Sequence, residues 1–459
     1  LISFYHQLSV SVQTYRLRLE SSDSAHPNDI VSFLLPSALV NLDSLSLRYK
    51  VTTKQLTANQ GTMCILNKGS YSPFTAITCE SSSTVLDSLQ SGWNRWVDIM
   101  EANTKKEEPY KKITENQYSW EDYKKNVHGV SQTFAAPVAG VAAAITATNV
   151  PAAPTSAAPW LNNGDEFILN NFNGTFIGTV AQRLFDCTVC PIRVFLRFDD
   201  MSRSFISDDI TKFSAEYTGL YCIIQSLALN DGGVYQQKVR TQLESGGTID
   251  FLYKRVRSFS SGKGDITNTL TAGIATSSLD ALTTVFYGPE SIDSTKSFKC
   301  SSSDNMQLAK NNYFRPTIGI YKEGVTGEDG EVKNTLISSQ YGIQNILYPV
   351  WPASPVDQWE ITNNSLKDID GRNGCAPWIN SMDQHLYANG AFWRMSFNFP
   401  GAEKVIRLRS GLNLLGTTAI FYHSSTGINK PDSQPVRVIY AEMSPVLKVM
   451  VGRQVEVIV

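Results

Sequence analysis

Short runs in which apolar and polar residues alternate recur along the chain between turn-forming residues, the pattern of antiparallel strands with one buried face. Val12 to Leu19 (VQTYRLRL) alternates, and Ile30–Leu35 and Leu45–Val51 follow it, with Pro36 and Asn41 between them. Phe167–Leu169, Thr175–Val180, Ile192–Phe198 and Tyr221–Leu229 continue the series. The first half alone therefore supplies the roughly seven or eight strands that a jelly roll needs.

The alternation breaks at Val234–Leu243 (VYQQKVRTQL), which lacks Gly and Pro, places Tyr235 and Val239 one turn apart, and ends before Gly246-Gly247. That segment predicts a connecting helix with a glycine stop. Alternation then resumes at Ile249–Phe259 and continues through Thr269–Ala275, Leu279–Tyr287, Thr317–Tyr321, Ala391–Phe399 and Val405–Arg409. Val436–Ala441, Val446–Val451 and Val455–Val459 close it. The second half repeats the architecture without a close sequence repeat. The expected fold is all-β: two consecutive eight-stranded antiparallel jelly rolls with helical and loop insertions. The first occupies residues 1–232, a connecting helix 233–247, and the second 248–459.

A helix is also expected inside the first half. Ser81-Ser82-Ser83 leads into Thr84 and Asp87 at capping spacing, and Val85, Leu86, Leu89, Trp93, Trp96, Val97 and Met100 share one helical face. Lys105–Lys125 mixes both signs of charge with Tyr110, Tyr118, Trp120 and Tyr123, and reads as a solvated loop or helix face. From Gly129 to Gly164 there is no charge, and Val150–Pro159 is an extended Pro/Ala linker type. This strip is either a flexible excursion or a segment that packs across a neighbouring subunit.

Length and charge narrow the classes. A chain of 459 residues suits two domains, each able to bury a core. Forty Lys and Arg face 42 Asp and Glu, charged residues make up 18% and aromatics 10%, so the chain is neither disordered nor built to neutralise phosphates. Seven cysteines, at 64, 79, 187, 190, 222, 300 and 375, form no even framework, which points to reduced buried thiols and folding in the cytoplasm or nucleus. The start, Leu1 to Leu8, lacks a basic region and is broken by His6 and Gln7, so it does not read as a secretory signal; without Met it reads as a processed or partly disordered terminus. Phe134–Ile145 is the nearest approach to a membrane span, and it is too short and carries Pro137 and Gly140.

The chemistry-bearing residue types are scattered. His6, His26, His128, His385 and His423 are isolated from one another, and no G-x-S-x-G elbow is present. Cys187-Thr-Val-Cys190 could be redox-active or half of a zinc site, but it runs into a strand and no second pair accompanies it, so buried structural cysteines are expected. Gly262-Lys263-Gly264 lacks the remainder of a phosphate loop. Asp368-Ile-Asp-Gly371 begins like a calcium loop, which Arg372 and Ile379 spoil. Glu328–Glu331 reads as a hairpin tip. Asn173-Gly-Thr175 and Asn363-Asn-Ser365 are formal glycosylation sequons. Asp199-Asp200 and Asp208-Asp209 are adjacent in sequence, so in extended strands they would face opposite ways, and they read as surface turns instead of a glycosidase pair. No catalytic, cofactor-binding or metal-binding residue is assigned, and no cofactor is expected.

Three ordered blocks carry a resemblance: IVSFLLPSALVNLDSLSLRYKV from Ile30, FNGTFIGTVAQRLFDCTVCPIRVFLRF from Phe172 leading to YCIIQSLALN, and RLRSGLNLLGTTAIFYHSSTG from Arg407. With the two strand series and the helix between them, the chain resembles the double-jelly-roll major capsid proteins of icosahedral DNA viruses. The nearest look is to those of virophages and Polinton-like or adintovirus-like viruses, within the lineage of adenovirus hexon. The resemblance implies a non-enzymatic structural subunit of the virion. Three chains would form a pseudo-hexagonal homotrimer that tiles a capsid, in contact with neighbouring capsomers, penton and minor capsid proteins and, at the base, an internal membrane. No sequence-specific nucleic-acid binding is implied. Lys54–Lys125 and Gly288–Asp357 would be tower or intersubunit loops, and Gly129–Gly164 an intersubunit or base contact. Low charge suits barrel flanks that neighbours cover. The competing readings are a receptor-binding or lectin-like β-sandwich module, a polysaccharide-cleaving β-sandwich enzyme, and a single-jelly-roll RNA virus coat with a protruding domain.

Overall fold

The computed structural model describes residues 10–20, 22–67, 69–103, 156–157, 159–207, 209–261, 270–287, 321–322, 335–336, 338–370, 393–398, 410–415, 420–426 and 436–459. Eight strands build a first barrel: β1 (Val10–Arg18), β2 (Ile30–Leu34), β3 (Leu39–Gln55), β4 (Phe74–Ser81), β5 (Thr84–Val85), β6 (Leu184–Asp186), β7 (Arg193–Phe198) and β8 (Phe213–Leu229). They pair as two facing sheets, β1-β8-β3-β6 and β2-β7-β4-β5. Eight more build a second: β9 (Arg255–Ser260), β10 (Leu270–Gly273), β11 (Leu279–Tyr287), β12 (Ser338–Ile343), β13 (Ile346–Ala353), β14 (Trp393–Ser396), β15 (Ile420–Thr426) and β16 (Val436–Met443). Their sheets are β9-β16-β11-β14 and β10-β15-β12-β13. Adding eight to every label of the first barrel reproduces the second, so the chain is two consecutive jelly rolls of one connectivity.

Alternation explains most of the barrel strands. Along β3 the side chains of Leu45, Leu47, Tyr49 and Val51 are buried, whereas Ser46, Arg48 and Lys50 between them are not. The β3–β8 ladder shifts register between Thr218 and Tyr221, where Gly219 takes the left-handed φ of 61° that a bulge demands.

Among the described residues three helices longer than a single turn punctuate the strands: α1 (Trp93–Asn103), α2 (Val234–Glu244) and α3 (Pro355–Asp370). α2 lies where the glycine stop predicts it: the N–H of Gly246, at φ 82°, donates to the Leu243 carbonyl and that of Gly247 to Gln242, satisfying the last carbonyls. Asp231 caps its start, accepting from the N–H groups of Gly233 and Tyr235.

Several expectations are corrected. α1 begins at Trp93, not near Val85, because Thr84–Val85 is a strand and Asp87 is no helix cap: its carboxylate accepts from the backbone N–H of Cys79 and of Phe176, each at 2.7 Å. Thr175–Val180 is a single helical turn, Phe176–Thr179, with the Thr175 hydroxyl accepting from the Gly178 N–H. The predicted strand Ile249–Phe259 breaks at Tyr253–Lys254; its first part, Ile249–Leu252, joins Val446–Val449 and Val455–Ile458 in a separate small sheet. Lys54–Lys125 and Gly288–Asp357 are not plain insertions, since β4, β5, α1, β12 and β13 arise within them. The predicted elements at Lys105–Lys125 and Val405–Arg409 lie outside the described residues, as does most of Gly129–Gly164.

Two apolar clusters form the core. The smaller fills the second barrel with Leu282, Tyr341, Ile343, Trp393, Ile439 and Ala441 among others. The larger fills the first barrel and continues through Trp93, Trp96 and Val97 of α1 into Val285, Tyr287, Val436, Val438 and Tyr440 of the second.

Candidate assembly surfaces

The residues that could have carried chemistry occupy structural positions. Cys187 and Cys190 are buried in the turn before β7; burial pushes the Cys187 thiol up and that of Cys190 to about 11, so neither is poised as a thiolate. Cys190 Sγ lies 3.2 Å from the Ser81 hydroxyl. Among the described residues no three His, Cys, Asp or Glu side chains converge on a point that could hold a metal. His26 is exposed, with its ring 3.6 Å from Asp29. His423 lies on β15 opposite Tyr341 in the ladder, and His6, His128 and His385 fall outside the described residues.

Asp199 is not a surface turn residue, as the sequence suggested, but buried: it accepts from the Asn94 amide at 3.0 Å and pairs with Arg203 at 3.3 Å. Asp200 and Asp209 each cap a short helical turn; Asp208 lies outside the described residues, as do Gly262-Lys263-Gly264, Glu328–Glu331 and Gly371. In the two sequons Asn363 is buried, whereas Asn173 is half-buried beside a buried Thr175.

What the fold does offer is surface. The first surface is already occupied, by the chain itself. The outer face of the β9-β16-β11-β14 sheet is covered by the first barrel, and β16 is buried at all eight positions as a result. Val436, Val438 and Tyr440 meet the first barrel, while Ile439, Ala441 and Met443 fill the second. Trp96 and Tyr440 lie with ring centroids 5.3 Å apart; Phe176 packs against Tyr253 at 4.9 Å and Phe185 against Phe251 at 4.7 Å. The Arg95 guanidinium sits 4.6 Å from the Tyr287 ring centroid. The segment after β5 is stitched to the start of β9: the Tyr253 hydroxyl donates to the Leu86 carbonyl at 2.9 Å and Ser88 donates to Val256 at 2.6 Å. Asp87 lies beside this seam, and burial raises its carboxyl to about 6.

Two further surfaces are open. α2 buries no residue; with the Asp186–Val189 turn and the Val451–Arg453 turn it lines a groove of about 770 Å³ that mixes Val239 and Leu243 with Arg240 and Glu244. The other is β13, an edge strand of sequence ILYPVWPA whose large apolar side chains are mostly exposed. Neither β13 nor α3 was anticipated from the sequence. For α3 the signal was present: Ser354-Pro355-Val-Asp357 is a capping box, with the Asp357 carboxylate accepting from the Ser354 N–H at 2.9 Å and the Asp357 N–H donating back to the Ser354 hydroxyl at 3.3 Å.

No family model matches the chain, and no curated protein is similar to it in sequence. Solved structures are similar along its whole length. The crystal structure of VP54 of PBCV-1, fitted into a cryo-EM reconstruction of the virophage Sputnik, superposes with a TM-score of 0.54 at 11% identity, covering 98% of this chain and 97% of that one. The quasi-atomic model of the PBCV-1 virus capsid gives 0.53 at 10% identity over 98% and 97%. The Faustovirus major capsid protein gives 0.54 at 9% identity over 96% and 91%. At this identity the likeness is one of fold, and the chain has the double-jelly-roll fold of these viral capsid proteins.

Proposed function

We propose that this chain is a major capsid protein: a structural subunit, not an enzyme, that associates with itself as a homotrimer and tiles an icosahedral capsid. The observation that carries the reading is the pair of barrels with one connectivity, side by side in one chain, matched end to end by structures of viral capsids. Each chain then contributes two similar building blocks, and three chains give six, a pseudo-hexagonal unit able to tile a facet. The division of labour follows the sequence, with residues 1–232 as one barrel, 233–247 as the connector and 248–459 as the other. The protein's partners are further copies of itself, neighbouring capsomers, penton and minor capsid proteins and an internal membrane at the base; its place is the virion, after folding in the host cytoplasm or nucleus.

Light scattering of the purified full chain tests the trimer, which predicts three times the chain mass. Electron microscopy of particles carrying the chain tests the tiling, which predicts pseudo-hexagonal capsomers. A stable monomer that binds a glycan or receptor would replace this reading with the receptor-binding module.

A further inference from the structure

The contact between the two barrels within the chain is a template that the molecule uses once and leaves open once. In that contact the first barrel presents α1 and the connector that leads to it from β5, the strand at the end of its β2-β7-β4-β5 sheet. The connector and α1 lie against the outer face of the second barrel's β9-β16-β11-β14 sheet, with Trp96 on Tyr440 and Ser88 donating to the Val256 carbonyl, while Val85 of β5 itself stays 46% exposed. Because the barrels share one connectivity, the second barrel has the same parts in the same order: β13 at the end of β10-β15-β12-β13, followed by α3.

There the parts face outward. Ile346 is 54% exposed, Val350 80% and Trp351 56%, a concentration of apolar surface on one edge strand. The ladder between β12 and β13 slips between Ser339 and Tyr341, and the Gln340 amide donates to the Pro349 carbonyl at 2.8 Å. Val350 and Trp351 project from that irregular stretch as a knuckle. Pro349 and Pro352 lack N–H groups, so the edge is suited to side-chain docking and not to strand addition.

The complementary surface is also open. In the first barrel the sheet that corresponds to the covered one is β1-β8-β3-β6. Whereas β16 is buried on both faces, its counterpart β8 is only half-buried on its outer face, at Tyr221, Ile223 and Leu227. Val12 of β1, opposite Leu227, is 56% exposed. Around this apolar strip stand Arg16, stacked 3.8 Å over Tyr221, and Arg18, both exposed; the first turns of α3 carry Asp357 and an exposed Glu360. Apolarity and charge therefore match between two surfaces that one chain cannot bring together by its own internal seam.

We propose that β13 and the start of α3 dock on the outer face of the β1-β8-β3-β6 sheet of a second copy of this chain. The Val350–Trp351 knuckle seats on the strip around Val12 and Leu227, and the acidic first turns of α3 lie toward Arg16 and Arg18. The contact is head-to-tail, so it builds a ring only if the rotation closes; it rests on the trimer proposed above, in which three such contacts close.

The test places a photo-crosslinking p-benzoylphenylalanine at position 351 of the full chain and mixes unlabelled with isotopically labelled copies before irradiation. The expected products are crosslinks between copies that join position 351 to residues 10–18 or 221–229. In a trimer, crosslinks that fall elsewhere or stay within one copy overturn this contact and leave the trimer standing; a wild-type chain that scatters as a monomer overturns both. The double substitution Val350→Asp with Trp351→Asp, at exposed positions, is expected to keep the native circular dichroism and to raise the trimer dissociation constant by roughly 30-fold or more. A doubly substituted chain that remains as firmly trimeric as wild type also overturns the proposal.

Discussion

The rings of Trp96 and Tyr440 sit 5.3 Å apart at a tilt of 47°, one from the first barrel's helix α1 and the other from the middle of β16 in the second. Both are buried, in a cluster that runs unbroken from one barrel into the other. A helix that would otherwise be half solvated is buried around its whole circumference, and the first barrel's core extends onto the outer face of the second barrel's β9-β16-β11-β14 sheet, whose inner face packs a second cluster. Trp96→Ala should therefore lower the stability of both barrels together, by about 3–5 kcal/mol. Urea unfolding followed by tryptophan fluorescence and circular dichroism should show one coincident transition displaced to lower denaturant. Loss confined to one of two separate transitions would mean that the seam does not couple the barrels.

Gly174 lies against the same indole. Its φ of 78° is in the left-handed region, and a Cβ there would come within 2.7 Å of Trp96 Cδ1 and Nε1. Gly174→Ala thus combines backbone strain with a clash against a side chain that has no room to retreat, and should cost about 2–4 kcal/mol. Gly219→Ala, where φ is positive but nothing lies within 4 Å, should cost only about 1 kcal/mol. Thermal melts of the pair separate packing from conformation.

These residues also show where the sequence is legible. β3 alternates because one face is wet, and α2 carries its stop signal in Gly246 and Gly247, so both are readable in the chain. β4 (FTAITCES) is not, because it is buried on both faces for most of its length and burial on two sides erases alternation. β13 fails for the opposite reason: it exposes apolar residues, so hydrophobicity and burial part company. The seam was invisible for a related cause, since the second apolar face of β16 is covered by residues more than 300 positions earlier in the chain. The run from Val85 to Met100 reads as one helix because Leu86 and Leu89 of the connector and the apolar residues of α1 enter one core while Val85 of β5 is exposed, and apolar spacing alone does not separate them.

A buried ion pair fixes β14 against β16. Arg394 engages the Glu442 carboxylate with both terminal nitrogens, Nη2 lying 3.1 Å from Oε2, and Nη1 also donates to the Thr283 hydroxyl at 3.2 Å. Removing one partner leaves a buried charge uncompensated, so Glu442→Gln or Arg394→Met alone should cost about 3–5 kcal/mol. Arg394→Met combined with Glu442→Leu removes both charges and should recover most of that loss. A double-mutant cycle in urea measures the coupling, and additive losses would show that the two residues act independently.

Oxidation and alkylation should spare the first barrel's thiols. Cys64, Cys79, Cys187, Cys190 and Cys222 are all buried, and burial raises Cys79, Cys187 and Cys222 above the ordinary thiol range. Mass mapping after iodoacetamide at pH 8 should leave Cys187 and Cys190 unmodified in the folded chain and modify both in denaturant. Rapid labelling of either in the native state would revive a redox role for the CxxC.

Asp87 gives the stability of the seam a pH dependence with a definite sign. Burial raises its folded-state carboxyl to about 6, above the value of about 4 expected in the unfolded chain. Between those values the folded protein holds the proton more tightly than the unfolded one. This group's stabilising contribution is therefore fully present below about pH 4 and is lost as pH rises through about 6. The two-unit gap sets an upper scale of about 3 kcal/mol. Its two oxygens also accept from the N–H groups of Cys79 and Phe176, so Asp87→Asn, which presents an NH2 to one of them, should cost about 1–3 kcal/mol at pH 5 and less at pH 7, where wild type has lost its own contribution. Stability measured by urea unfolding at pH 5 and pH 7 should fall less with rising pH in Asp87→Asn than in wild type. An unchanged slope would place the proton uptake on another group.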